Sequence, residues 1–155
     1  MNHSKCCAIM VVSAVMGSGM LKADWADYKP STLETVWSEA TILKGADYTI
    51  EAKYGKYVVE VSYTGEHQEI SAERRKLIRG WAKAVGQLQF AEMFEHEIAV
   101  QAGSRTFWLP LQNPLVESFV KEAGAGSRLK LYVVYIGAVK EDRVVVVNEF
   151  QVLTQ

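Results

Sequence analysis

Two apolar runs near the C-terminal end of the chain constrain the fold more than any other feature. Leu129–Ile136 and Val144–Val152 carry apolar residues at successive positions, so both faces of each segment are apolar for several residues. Strands with one solvent-exposed face alternate apolar and polar residues, whereas strands covered on both faces do not. We therefore expect two central strands, joined through Gly137–Arg143 and covered on both faces.

Helical and strand periodicities alternate along the rest of the chain from residue 24. Apolar residues recur at helical spacing after Ser31, Ser71 and Asn113, which are residue types that cap helix N-termini. Period-two alternation predicts one hairpin over Tyr48–Tyr63 and another over Phe94–Leu111. The pattern predicts an α+β fold with three helices and an antiparallel sheet of about six strands.

The segment from Arg105 to Val152 resembles the second half of an OB-fold, in which a strand, a helix across the barrel and two closing strands follow one another. The segments in those places are Arg105–Leu111, Pro114–Ala123, Arg128–Ile136 and Val144–Val152. The phrases Leu131–Gly137 and Asn148–Phe150 are also similar to small exported bacterial proteins of unknown function. The resemblance implies a sheet that curls into a partly open OB-like barrel. The helix predicted over Ser71–Val85 interrupts the first half, so a sheet with helices on one face stays an alternative.

The first 23 residues have the order of an export signal. Lys5 lies in a short polar start, an apolar run begins at Cys6, and small residues then offer a cleavage site after Ala23 or near Gly19. The run is interrupted at Gly17–Gly19 and is too short to span a bilayer, which takes ~20 apolar residues. We expect residues 1–23 to be removed and residues 24–155 to form a single domain; a buried N-terminal helix is the alternative.

Removal of this signal would leave a mature chain without cysteine, because both cysteines are Cys6 and Cys7. Disulfides, thiolate metal sites and cysteine nucleophiles would then be excluded. An exported domain without cysteine fits the bacterial periplasm, with no transmembrane anchor. Loss of Lys5 and Lys22 changes the formal net charge from −1 to −3. A weakly acidic chain argues against a general nucleic-acid binder.

The second helix carries a row of basic residues, which we call the basic stripe: Arg75, Arg79 and Lys83. The row lies opposite Leu77 and Trp81 on a helical wheel and should face solvent. Such a stripe fits an anionic glycan, a lipid headgroup or an acidic protein, because arginine binds carboxylate and phosphate through paired donors. A solvated face that offsets acids elsewhere is the alternative.

Trp108 is the tryptophan that we expect to be partly exposed. Strand alternation places it beside Thr106 and Pro110, on the face opposite Phe107 and Leu109. A tryptophan in that position could line a binding groove near the basic stripe, with packing under a helix as the alternative.

The sequence signals for catalysis are weaker than those for binding. Alternation places His96 on an apolar strand face with Phe94 and Ile98, and puts Glu95 and Glu97 together on the wet face. Two acids at that spacing are ~6.6–7 Å apart along a strand, a separation that some glycosidases use. His67 lies in a polar connection without a second histidine at metal-ligand spacing. We expect neither a metal nor a cofactor.

The sequence thus favours an exported, non-catalytic periplasmic binding or accessory module, monomeric or weakly oligomeric. It would engage an anionic ligand or an acidic partner through the basic stripe and Trp108. One alternative is a small hydrolase built on His96 or on the Glu95/Glu97 pair. Another is a structural or assembly protein that uses an exposed sheet edge for strand addition.

Overall fold

The structure is a computed structural model, and it describes residues 25–53 and 55–154. The predicted export signal, residues 1–23, lies outside the described residues. The α-helices are α1 (Leu33–Glu39), α2 (Ala72–Ala84) and α3 (Asn113–Glu122). The strands are β1 (Lys29–Pro30), β2 (Tyr48–Ile50), β3 (Lys56–Glu69), β4 (Phe94–Ala102), β5 (Arg105–Gln112), β6 (Arg128–Val139) and β7 (Asp142–Val152). Two 3-10 helices cover Trp25–Asp27 and Leu88–Met93.

All seven strands belong to one sheet, and five of them pair in a ring. The ring runs β3, β4, β5, β7, β6, and β6 pairs back onto β3 along seven residue pairs, from Lys56 with Val134 to Ser62 with Arg128. The two short strands extend it, since β1 pairs with β3 and β2 pairs with β6. This α+β architecture confirms the predicted fold class.

The sheet is mixed, so the expectation of a purely antiparallel sheet is wrong. Two pairings are parallel: β1 with β3, and β5 with β7 through Leu111 and Val147. The parallel pairing of β5 with β7 arises because the chain leaves β5 through α3, crosses to β6 and returns as β7 between β5 and β6. Periodicity reports which face of a strand is buried, and it carries no information on the direction of a neighbouring strand.

Strands β6 and β7 are covered on both faces, which confirms the prediction made from their continuous apolar runs. Val145 and Val147 belong to one core cluster, with residues of α1, α3 and all five ring strands. Val144 and Val146 belong to a second cluster, beneath α2 and the 3-10 helix at Leu88–Met93. All four valines are fully buried. Each such side chain contributes about 1.5 kcal/mol or more to folding.

The predicted hairpin over Tyr48–Tyr63 does not form, because its two strands pair with other strands and not with each other. Strand β2 pairs with β6 through Thr49 and Ala138, and β3 pairs with β4 and β6, so β2 and β3 are not neighbours. The alternation itself is correct within β3, where Val59 and Val61 are buried in the first core cluster.

The helix starts agree with the sequence at α2 and differ at the other two helices. Ser71 caps α2 by accepting a hydrogen bond from the Arg74 amide at 3.2 Å. At α1 the cap is Thr32 rather than Ser31, with the Thr35 amide donating at 3.2 Å. At α3 Asn113 is already the first helical residue, and its side chain accepts instead from the Glu95 amide at 3.1 Å.

Candidate functional site

The basic stripe on α2 faces solvent, as helical periodicity predicts. Arg75, Arg79 and Lys83 are all exposed. The opposite side of the helix packs into the second core cluster, where Leu77 and Trp81 are almost fully buried. The sequence therefore gives the orientation of this helix correctly.

One of the three stripe charges has an acidic partner. Arg79 donates to a Glu92 carboxylate oxygen at 2.6 Å, with both side chains largely exposed. A surface pair of this kind contributes at most about 1 kcal/mol to stability, but it neutralises part of the stripe. Arg75 and Lys83 have no carboxylate within ion-pair distance among the described residues. Within the described part of the chain, the stripe thus offers two cations without an ion-pair partner.

Arg74 precedes the stripe and points the other way, into the protein. Its guanidinium forms a buried ion pair with Glu97 and a second ion pair with Asp142, from Nε to Oδ2 at 3.3 Å. It also donates to the backbone carbonyl of Trp108 at 3.2 and 3.3 Å, and to that of Arg143 at 3.3 Å. Arg74 therefore fastens the start of α2 to β4, β5 and β7.

The acidic pair on β4 does not form the arrangement that the sequence suggests. Glu95 is exposed at the register shift between Phe94 and His96, whereas Glu97 is 4% exposed because Arg74 of α2 covers its face of the strand. The Glu97 carboxylate is held by Arg74 and by Gln68, whose Nε2 donates to it at 2.7 Å. The expectation that both acids share a wet face is wrong. Glu97 has an ion-pairing role in this structure.

His96 is half-buried rather than enclosed among apolar groups. The same register shift separates its expected neighbours, since Phe94 joins the second core cluster and Ile98 joins the first. His67 lies within β3, paired with Ile98, and not in a polar connection as the sequence suggests. The position of His67 corrects the prediction, because a strand that continues past its buried segment looks like a loop in composition.

Beside Trp108 the structure forms a cleft of about 380 Å³, which we call the Trp108 cleft. It lies where α1, the end of β3, the start of α2, β4, β5 and the start of β7 meet. Its lining residues are Trp37, Gln68, Ser71, Arg74, Glu97, Arg105, Thr106, Phe107, Trp108 and Asp142. Trp108 is half-buried, as predicted, and helps to line the cleft rather than the core.

Arg105 is the cleft residue that sequence reasoning missed. Its side chain is exposed, and its guanidinium lies 4.9 Å from the centroid of the Phe107 ring. This cation–π contact holds the positive charge beside the cleft. Arg105 has no carboxylate partner among the described residues. Period-two spacing between Arg105 and Phe107 is the sequence signal that could have suggested the contact.

The Trp108 cleft and the basic stripe are separate surfaces. Ser71 and Arg74 are the α2 residues that line the cleft, whereas Arg75, Arg79 and Lys83 do not. The structure therefore does not bring Trp108 together with the stripe.

A second buried polar group lies where β5 meets β7. Gln112 donates from Nε2 to Asn148 Oδ1 at 2.7 Å, and Asn148 donates from Nδ2 to the Tyr28 hydroxyl at 3.0 Å. Next to them Glu149 is 3% exposed, and one of its oxygens accepts only the Phe150 amide at 2.9 Å. The other oxygen has no hydrogen-bond partner among the described residues. Burial, with the nearby Glu122 charge, raises the pKa of Glu149, although the Phe150 amide opposes the shift.

Metal ligation finds no support in the part of the chain that the structure describes. There, no group of three or more histidine, cysteine, aspartate or glutamate side chains is arranged to hold a metal ion. None of the helices in residues 25–53 and 55–154 is long and apolar enough to cross a membrane. No known family model matches the chain, and no curated protein is significantly similar to it. Function must therefore be argued from the geometry of the site.

Proposed function

We propose that this protein is an exported, non-catalytic binding or accessory module of the bacterial periplasm, which engages an anionic ligand or an acidic partner through the basic stripe. The observation that carries the proposal is the pair of exposed cations Arg75 and Lys83 on the solvent side of α2, neither of which forms an ion pair within residues 25–53 and 55–154. The opposite side of the helix is fixed in the core, so the stripe has a constant orientation.

A helix held in this way presents its charges at a fixed spacing. Arg75 and Lys83 are eight residues apart, which is about 12 Å along an α-helix, with Arg79 between them. Exposed charges of this kind chiefly raise association rates and give salt-dependent affinity. An anionic partner would compete with Glu92 for Arg79, so all three cations could contribute when it binds.

We also infer that the ring of strands is an OB-like barrel. The strand order in the ring, its parallel β5–β7 pairing and the position of α3 between β5 and β6 support this inference. Helix α2 is then an insertion between the first two strands of the ring. OB-folds bind oligosaccharides and oligonucleotides, but a fold does not identify a ligand.

The two other classes of function find less support. A hydrolase built on the Glu95/Glu97 pair would need both carboxylates free, whereas Glu97 is engaged by Arg74 and Gln68. Assembly through strand addition would need an accessible edge; the strands that end the order, β1 and β2, have only two and three residues, and β5 and β7 pair with each other at Leu111 and Val147. Short edge strands are one way in which proteins avoid edge-to-edge pairing.

The proposal can be tested by charge reversal. The double variant Arg75→Glu/Lys83→Glu leaves the Arg79–Glu92 pair intact and should weaken binding to polygalacturonate or to phosphatidylglycerol vesicles at least about tenfold, which corresponds to 1.4 kcal/mol. A third assay measures capture of an acidic periplasmic protein. The assay in which the double variant binds more weakly would identify the class of partner.

The matched control is Lys44→Glu/Lys53→Glu, which changes two exposed lysines elsewhere and alters the net charge equally. Binding should fall with the first double variant and stay near the original value with the second. Equal losses in both variants would show a general charge effect, and unchanged capture in the first would overturn the proposal.

A further inference from the structure

The Trp108 cleft carries opposite net charges at two places. At its base, Arg74 contacts both Glu97 and Asp142, so one cation faces two carboxylates and the local formal charge is −1. The start of α2 adds a partial positive charge near Ser71, which Glu73 in the first helical turn offsets. Elsewhere in the lining, Arg105 supplies a full positive charge with no acidic partner among the described residues.

Asp142 retains capacity to bind a ligand. One oxygen, Oδ2, forms the ion pair with Arg74 Nε, while the side chain as a whole is 61% exposed. A carboxylate accepts several hydrogen bonds, so the remaining positions of Asp142 are open to a donor in the cleft. A primary ammonium is the donor that the net negative base favours.

Trp108 complements this arrangement. Its backbone carbonyl accepts from Arg74, and the half-buried residue lines the cavity. The face of an indole attracts a cation and also packs against apolar groups. An ammonium near Asp142 would therefore lie next to an aromatic surface.

We propose that the Trp108 cleft is a second binding site, for a small zwitterion that carries a primary ammonium and an acidic group. The ammonium would bind Asp142 and the face of Trp108, and the acidic group would bind Arg105. A cavity of about 380 Å³ falls within the range of small-molecule sites. The acidic group can be a carboxylate, as in an amino acid or short peptide, or a phosphate, as in phosphoethanolamine, because a guanidinium binds both.

The test uses probes that lack one charge at a time. Alanyl-alanine and phosphoethanolamine represent the two sources, and calorimetric titration of the purified protein gives their affinities. N-acetyl-alanyl-alanine lacks the ammonium, and alanyl-alanine amide lacks the acidic group. The free dipeptide should bind at least about tenfold more tightly than its acetylated form or its amide. Phosphoethanolamine should likewise bind at least about tenfold more tightly than an analogue that lacks one of its two charges.

Two variants assign the charges to their residues. Arg105→Gln should abolish the preference for the free dipeptide over its amide, while keeping the preference over the acetylated form. Asp142→Asn should abolish the preference for the free dipeptide over its acetylated form, while keeping the preference over the amide. The matched controls are Lys53→Gln and Asp47→Asn, which remove the same charges at exposed positions outside the cleft. If Asp142→Asn unfolds the protein, Arg105→Gln still tests the proposal, because its side chain is exposed.

Equal affinities for free and blocked probes would overturn the proposal. So would the absence of binding by both zwitterions at about 10 mM, tenfold above a weak dissociation constant of about 1 mM. The double variant Arg75→Glu/Lys83→Glu should leave zwitterion binding unchanged, so failure here and failure of the stripe proposal are distinguishable.

Discussion

Arg74 at the start of α2 and Glu97 in β4 form an ion pair in which the two side chains are only 7% and 5% exposed. Removal of one partner would leave the other as an uncompensated buried charge. We therefore expect Arg74→Met to lower the free energy of unfolding by about 3–5 kcal/mol. Urea denaturation followed by circular dichroism measures the change.

The double variant Arg74→Met/Glu97→Met is the control for this prediction. With both charges replaced by apolar side chains of similar length, the loss should be clearly smaller than in the single variant. A single variant that loses less than about 1 kcal/mol would contradict the buried pair, since that is the range of exposed pairs.

The raised pKa of Glu149 predicts how stability depends on pH. A carboxyl whose pKa is higher in the folded than in the unfolded protein stabilises the fold at low pH, and this contribution is lost as pH rises through the folded-state pKa. Glu149→Gln should therefore be more stable than the original protein at neutral pH. The difference in denaturation midpoint should shrink as the pH falls toward the unfolded-state pKa of about 4.3.

Glu95→Gln serves as the control for that measurement, because it replaces an exposed glutamate by the same residue. Glu122→Gln removes the neighbouring negative charge that contributes to the shift, so it should reproduce a small part of the Glu149→Gln effect. A difference between Glu149→Gln and the original protein that is constant from pH 4 to pH 8 would exclude titration of Glu149 as its cause.

Gly137 should tolerate no side chain, because it lies where β6 pairs with β2. Its φ is +149°, and a Cβ built there would be 2.1 Å from the Thr49 backbone oxygen. Gly137→Ala must therefore displace β2 or strain β6, and we expect a loss of about 3 kcal/mol or more. Hydrogen exchange at the Thr49 amide reports whether β2 has separated.

Gly86, which ends α2, gives the comparison. Its φ is +73°, and a Cβ would have no atom within 4 Å. Gly86→Ala therefore has only the cost of a left-handed backbone, about 1–2 kcal/mol. If both substitutions cost the same, the close approach of Thr49 to Gly137 would be refuted.

The Ser71 cap predicts a smaller effect on α2. Ser71→Ala leaves the Arg74 amide without its acceptor and should lower the free energy of unfolding by about 1 kcal/mol. Ser104→Ala in the exposed β4–β5 turn should be close to neutral. Loss of the cap should also weaken zwitterion binding only slightly, since Ser71 Oγ already accepts the hydrogen bond from the Arg74 amide. A neutral Ser71→Ala would place the start of α2 elsewhere.

Periodicity predicted the buried faces of this protein well where the apolar pattern is continuous. The double burial of β6 and β7, the orientation of α2 and the partial exposure of Trp108 all follow from the spacing of apolar residues. These are properties of a segment by itself, so a single sequence contains the information.

Properties that depend on two distant segments could not be predicted in the same way. Glu97 lies on the strand face opposite Ile98, as alternation predicts, but Arg74 of α2 covers that face, which the sequence predicts to be exposed. The parallel pairing of Leu111 with Val147 depends on the path of the chain through α3 and β6. The cleft was missed for the same reason, because Arg105 and Asp142 line one cavity only after the ring of strands is formed.

The position of β7 between β5 and β6 has a consequence for the order of folding. This strand, the last element of the fold, supplies alternate valines to both core clusters and joins β5 to β6. Neither cluster can be completed until residues 142–152 are present, so the closing contacts join segments far apart in sequence. Contacts between distant segments slow folding, so we expect the docking of β7 to be a late step.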